Sequence, residues 1–210
     1  MNKGKIIFVL SLLSLAAGGW LLLNSFKQAS LEPKDYVKWL TDAGNGLIET
    51  KEIGAYKFSL FYKPAAYQAL MECEDYNFQA DSVNKTIKQL EGMDYYTFRI
   101  ESKVTNELAN AGTASQDQYS AKLQYFAGEM QNDISLVDGK DTLPCSLFHY
   151  ERNFGVSAHN NFILVFETGP QNKAANNKTL VFNDRVLGIG PLNLSIKGKN
   201  IDHIPQLKLN

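Results

Sequence analysis

The chain reads as an α+β domain with a largely antiparallel sheet and several helices, preceded by one N-terminal hydrophobic helix. Three observations predict this. Helical periodicity clusters in the first two-thirds and strand alternation dominates the last third, without the regular strand–helix alternation of a doubly wound parallel sheet. Residues 6–23 are weakly polar to apolar throughout, behind Lys3 and Lys5. Residues 31–210 show no repeat, no heptads and no inter-domain linker, so they read as one domain, long enough to bury a real core.

The first 30 residues are expected to be a signal anchor or a signal peptide with a short tether. Two lysines ahead of the apolar run favour an N-terminus in the cytoplasm and a body beyond the membrane. Read as a signal peptide, Ile6–Leu15 is the apolar region, and Ala16 with Gly18, or Ala17 with Gly19, supplies the small residues of a cleavage site. Read as an anchor, Trp20-Leu21-Leu22-Leu23 extends the run towards the ~20 residues that span a bilayer. Trp20 then sits near the outer boundary, where Trp is favoured. The expected location is the inner membrane with the body in the periplasm; cleavage would instead release a periplasmic or secreted protein. A lipoprotein is excluded, since the first cysteine is Cys73.

The body reads element by element. Pro33 opens a helix carrying Tyr36, Val37 and Leu40 on one face, ended by Gly44-Asn45-Gly46. Tyr56, Phe58, Leu60 and Tyr62 alternate with polar residues as a strand. Pro64 begins a helix through Tyr67, Leu70 and Met71. Asp81 caps another with Val83, Ile87 and Leu90, closed by Gly92. Tyr96, Phe98 and Ile100 form a second strand. Thr105 to Gln116 is polar and apolar-poor, the loop expected to move or to carry function. Ser115-x-x-Gln118 is a capping box leading into Tyr119, Leu123, Phe126 and Met130. Strands are expected at Ile134–Val137, ended by Asp138-Gly139, and at Leu147–Tyr150. Phe162–Phe166 has no polar side and reads as a central strand buried on both faces. An exposed turn at 169–178 precedes Leu180–Phe182, Arg185–Leu187 and Leu192–Ile196, and Pro205 places the tail at an edge.

Composition limits the function. The chain has 44% hydrophobic and 20% charged residues, as ordinary globular proteins do, and a formal net charge of −1, so no global basic field draws nucleic acid. Cys73 and Cys145 are either a disulfide or two separate buried thiols. A bond would close a loop of about 70 residues, worth roughly 4 kcal/mol by the chain-entropy argument.

Chemistry-bearing motifs are sparse. There is no phosphate-binding glycine loop; Gly188-Ile189-Gly190-Pro191 lacks the third glycine and reads as a turn. Nucleophile-elbow and zinc-helix motifs are missing too, so no catalytic, cofactor or metal residues are assigned. His149-Tyr150-Glu151-Arg152 is the sharpest constellation: on a strand, His149 and Glu151 share a face, and His159 can approach across a hairpin. They form a candidate polar site, fit for a base or a metal, against a plain salt-bridge and hydrogen-bond reading. The aromatic set Tyr56, Phe58, Phe61, Tyr62, Tyr67, Tyr95 and Tyr96 can stack sugars or bases, but without basic clusters reads mainly as core. Asp81-Ser82-Val83 and Asp141-Thr142-Leu143 match the Asp-Ser/Thr-apolar pattern of envelope O-glycosylation in Bacteroidota, making Ser82 and Thr142 possible acceptors.

Three stretches together resemble a group of uncharacterised Bacteroidota envelope proteins: Tyr56–Leu70, Cys145–Gly155 with Asn161–Glu167, and Ile204-Pro205-Gln206-Leu207-Lys208. The resemblance implies an envelope location and a shared domain, with no established activity and no catalytic residues to carry over. The sequence expectation is a non-enzymatic, membrane-anchored envelope protein that contacts other envelope or membrane proteins as a subunit of a larger assembly. An extracytoplasmic ligand-, lipid- or glycan-binding domain is the alternative, and a hydrolase using His149 and Glu151 is third.

Overall fold

The structure is a computed structural model that describes residues 29–73, 79–169 and 175–209. The hydrophobic N-terminal segment, with both its anchor and signal-peptide readings, lies outside the described residues, as do residues 170–174 of the expected turn. Among the described residues no helix is long and apolar enough to cross a membrane.

In chain order the elements are β1 (Ser30–Leu31), α1 (Pro33–Thr41), β2 (Ile48–Ile53), β3 (Tyr56–Lys63), α2 (Ala65–Met71), α3 (Ala80–Gln89) and β4 (Met93–Ser102). There follow α4 (Gln116–Ala127), β5 (Ile134–Asp138), β6 (Asp141–Pro144), β7 (Leu147–Glu151), β8 (His159–Glu167), β9 (Lys178–Asn183), β10 (Pro191–Ile196), α5 (Gly198–Asp202) and β11 (Gln206–Leu207). The class is α+β, with two antiparallel sheets in the orders β2-β3-β4-β8-β7 and β10-β9-β5-β6, and a short parallel pair β1-β11.

Local chemistry explains most boundaries. Pro33 stands in the first turn of α1, and Tyr36 and Leu40, one turn apart, are both buried. Ser115 caps α4: its Oγ accepts from the Gln118 amide at 3.3 Å, while Gln118 reaches back to the Ala114 amide at 2.8 Å. The expected box therefore forms, closing one residue earlier than its usual reciprocal bond. Asp81 does not cap α3; Gln79 holds that position and Asp81 lies in the first turn, where a carboxylate still favours the helix dipole. Gly46 has φ +72°, and a Cβ there would lie 2.2 Å from the Asn200 amide nitrogen. That amide donates to the Gly46 carbonyl at 3.0 Å, tying α5 to the entry of β2.

The core lies between the two sheets. Phe58, Leu60, Phe98, Ile100, Phe162 and Leu164 of the larger sheet are buried, as are Leu136, Leu180, Phe182, Leu192 and Leu194 of the smaller. Phe98 meets Phe182 edge-on across the gap at 5.8 Å, and Phe162 stacks on Tyr150 at 4.8 Å. α4 closes one side by setting Phe126 against Phe162. At one end a buried lysine bridges the sheets. Lys178 of β9 lies 3.0 Å from Asp94 of β4 and 2.5 Å from Asp138 of β5. Burial pushes the Asp94 carboxyl above its ordinary range, against the opposing pull of Lys178.

Three expectations are corrected. The 105–116 stretch is anchored at its middle: a 3-10 turn at Leu108–Asn110 buries Leu108 and Ala109, and the Leu108 amide donates to Asn160 Oδ1 at 3.3 Å, while residues 114–116 are exposed. Arg185–Leu187 is not a strand, because the Asp184 carboxylate accepts from the Val186, Leu187 and Ile189 amides and winds the chain into a loop. Phe162–Phe166 lies inside the sheet with Phe162, Leu164 and Phe166 in the core; on its other face Val165 is buried but Ile163 is only half-buried, since that face carries no second sheet.

Candidate functional site

Strand alternation sends one face of the larger sheet into the core and leaves the other open. The registers put Ile48, Phe61, Thr97, Ile163 and His149 side by side across the five strands of the open face. One pleat further lie Thr50, Ser59, Arg99, Asn161 and Glu151, and then Glu52, Lys57, Glu101 and His159. The first row is largely apolar and the second polar. The second is also bonded along its length: Thr50 and Ser59 hydroxyls meet at 3.3 Å, Arg99 Nε donates to Asn161 Oδ1 at 2.9 Å, and Asn161 Nδ2 donates to Glu151 Oε2 at 3.1 Å.

A groove of about 480 Å³ runs over these two rows. Tyr67 of α2 overhangs it, edge-on to Phe61 at 5.5 Å, and Lys63 Nζ lies 5.8 Å from the Tyr67 ring and 5.9 Å from the Phe61 ring. Three cations line the groove: Lys57, Lys63 and Arg99. Among the described residues none of the three has a carboxylate within 4.0 Å, whereas Lys103, Arg152, Lys178, Arg185 and Lys208 all do. Partial burial lowers the Lys63 ammonium below its ordinary pKa; nearby Glu151 opposes this and Arg99 adds to it. Thr97 lies at the centre, 9% exposed, and its Oγ1 is buried without a hydrogen-bond partner among the described residues. A buried hydroxyl left so costs about 1–3 kcal/mol, so its place in a charged groove is informative.

The residues singled out from sequence fall partly here. His149 and Glu151 share a face of β7 as expected, but Glu151 is bonded to Asn161. His149 stands opposite Ile163, which places His159 about 13 Å further along β8. His159 instead faces Glu101, with Nδ1 3.3 Å from the carboxylate. The two histidines are thus not brought together, and among the described residues no three His, Cys, Asp or Glu side chains converge as metal ligands would. Cys73 and Cys145 stand as separate thiols in the structure. Each donates to a nearby carbonyl, of Ala69 at 3.3 Å and of Leu147 at 3.0 Å. Burial pushes the Cys145 thiol up to about 11. Ser82 is exposed on α3 and Thr142 on the edge strand β6.

Sequence reading missed the three cations. Lys57, Ser59, Phe61 and Lys63 alternate along β3 on one face, but Arg99 joins them only through the β3–β4 register, Ser59 opposite Arg99. The aromatic set divides by the same parity: Phe58, Tyr62 and Tyr96 enter the core, and Phe61 faces the groove with Tyr67.

No family model matches the chain, and no curated protein matches it. Two solved structures are similar. One is a novel protein of unknown function from Burkholderia pseudomallei K96243, 13% identical, covering 81% of this chain and 86% of that one at a TM-score of 0.37. The other is a DUF4426 family protein from Pseudomonas aeruginosa PAO1, 12% identical, covering 71% of this chain and 90% of that one at a TM-score of 0.33. At this level of likeness neither bears on what the chain does.

A larger recess of about 920 Å³ lies at the sheet end beside Tyr62, Asp94 and Gly169.

Proposed function

We propose that this protein is a non-enzymatic binding domain, held at the outer face of a membrane by its N-terminal segment, with the open face of the five-stranded sheet as its binding surface. One observation carries the reading: three cations, none with a carboxylate within 4.0 Å among the described residues, line a groove whose central residue, Thr97, has a buried hydroxyl without a hydrogen-bond partner among those residues. A sheet face serving only as surface would be expected to pair or solvate such groups. The Lys-led apolar run at 6–23 supplies the tether.

The experiment is site-specific photo-crosslinking in native membranes, with the photoreactive residue at Ser59 in the groove or at Thr142 on the other sheet. A defined adduct from Ser59 but not from Thr142, lost in Arg99→Gln and pelleting with carbonate-washed membranes, is the expected result. Equal labelling from both positions, or a body found in the soluble fraction with residues 1–30 retained, would overturn it.

A second reading, contact with a partner protein, is favoured by a separate feature. Val104, Phe154 and Val156 are 70%, 71% and 87% exposed. Their loops are tied together beyond the His159 end of the sheet: Asn106 Nδ2 donates to the Gly155 carbonyl at 3.2 Å and Asn153 Nδ2 to the Asn106 carbonyl at 3.1 Å.

A further inference from the structure

The groove's chemistry narrows its ligand, on the footing that the open face is a binding surface. A site for a simple fatty acid would be apolar along its length. A site for a bare inorganic anion needs no aromatic wall. This groove has both characters in parallel rows: Phe61, Ile163 and the overhanging Tyr67 on one side, Ser59 and Asn161 on the other. Lys57, Lys63 and Arg99 line it with no carboxylate within 4.0 Å among the described residues, and Glu151 acts on Lys63 from further off. A molecule that matches must be amphiphilic across its width, with C–H surface on one face, hydroxyls on its rim and a negative charge.

We propose that the groove binds a small acidic sugar, its anionic group held between Lys63 and Arg99, its ring against Phe61 and Tyr67, and its hydroxyls on Asn161 and the Thr97 hydroxyl. Each part answers an observation. Lys63 and Arg99 both line the groove and lie near enough to interact, with the Glu151 carboxylate also in the lining, so an anionic group held between the two cations makes charge-assisted hydrogen bonds to both. Asn161 already orients Arg99 and Glu151 and presents a fixed amide beside the groove. Thr97 Oγ1, closed off at the groove floor, reaches the ligand by a rotation about χ1 and then gains a hydrogen bond that the described residues do not provide. The four strands from Ile48 to Ile163 span about 14 Å at the usual strand spacing, enough for one or two sugar rings. The charge can be the carboxylate of a uronic acid or the phosphate of a sugar phosphate, free or within a glycan.

The test is calorimetric titration of the full chain in a polyoxyethylene detergent, which carries no sugar. The probes are glucuronate, glucose 6-phosphate, trigalacturonate, glucose, hexanoate and triglutamate. Binding of at least one acidic sugar about tenfold tighter than glucose, hexanoate and triglutamate is expected. Lys63→Gln and Arg99→Gln should each weaken it about tenfold with unchanged thermal melting, while Lys208→Gln, on a cation already paired with Glu32, should leave it unchanged. Preference among the three acidic sugars identifies carboxylate against phosphate and free sugar against glycan, and any of the three supports the proposal. Hexanoate or triglutamate binding as tightly as the acidic sugars, with the same dependence on Lys63, would overturn the sugar assignment and leave the groove a general anion site. No probe binding, or binding indifferent to both substitutions, would overturn the groove as a binding surface altogether.

Discussion

Thr97 is the residue at which stability and function pull apart. It sits in β4 with Phe61 on one side and Ile163 on the other, both apolar, and its Oγ1 is buried without a partner among the described residues. Valine has nearly the same shape without the hydroxyl. Thr97→Val should therefore stabilise the free protein by about 1–2 kcal/mol, since an unsatisfied buried hydroxyl is removed and no contact is lost. The readout is a higher urea midpoint with an unchanged denaturant slope, together with weaker binding of the acidic sugar. A lower midpoint would mean that the hydroxyl is satisfied within the fold, and the case for a waiting partner at the groove floor would fall. Nothing in the sequence singles out Thr97: a threonine between a tyrosine and a phenylalanine is ordinary strand material, and its isolation arises from neighbours on two other strands.

At the scale of elements, sequence legibility follows chemical contrast. β3, β4 and β10 alternate apolar with polar residues and were readable, as were α1, marked by Pro33, and α4, marked by Ser115. β2 was not, because Ile48–Ile53 is an edge strand with four exposed inner residues and so carries no period-two signal. β6, short and mostly exposed, hid for the same reason. The 105–116 segment misled differently: its packing depends on Asn160, fully buried on distant β8. The Val104–Phe154–Val156 tip belongs to these connections. Phe154 has φ +51°, a left-handed conformation that is rare for a bulky side chain, and its ring faces Arg152 at 4.5 Å. Phe154→Gly removes that conformational strain, worth about 1–2 kcal/mol, against a small loss from the ring–cation contact. If the tip is a protein interface, Phe154→Gly with Val156→Ser should abolish co-purification of a defined partner without lowering the melting temperature. Undiminished co-purification, or a clear fall in melting temperature, would remove the tip from the interface or make it structural.

The whole molecule is two sheets locked by aromatic packing and, at one end, by the Asp94–Lys178–Asp138 cluster. That cluster was invisible in sequence: its members come from three strands, and the pairing β5–β9 within one sheet and the stacking on β4 are tertiary facts. A buried ion pair need not add net stability over an apolar substitute, but removing one partner strands the others in a poor dielectric. Lys178→Met keeps the apolar stem to within one atom and deletes the ammonium, leaving two carboxylates facing each other. At neutral pH the variant should lose about 3–5 kcal/mol. The pH dependence has a definite sign. The Asp94 carboxyl is already raised by burial, so the folded state holds its proton at a pH where the unfolded chain has released it. Its contribution is therefore present below the unfolded carboxylate pKa and is lost as pH rises through the raised folded value. Without Lys178 the folded value rises further, so the deficit of Lys178→Met should shrink as pH falls from 7 into that acidic range. Adding Asp94→Asn should recover part of the loss at pH 7. Urea unfolding of wild type, single and double variants at pH 7 and 5 measures both effects. A deficit independent of pH, with no recovery in the double variant, would mean that Lys178 stabilises the junction through its aliphatic packing and that the charge cluster does not lock the sheets.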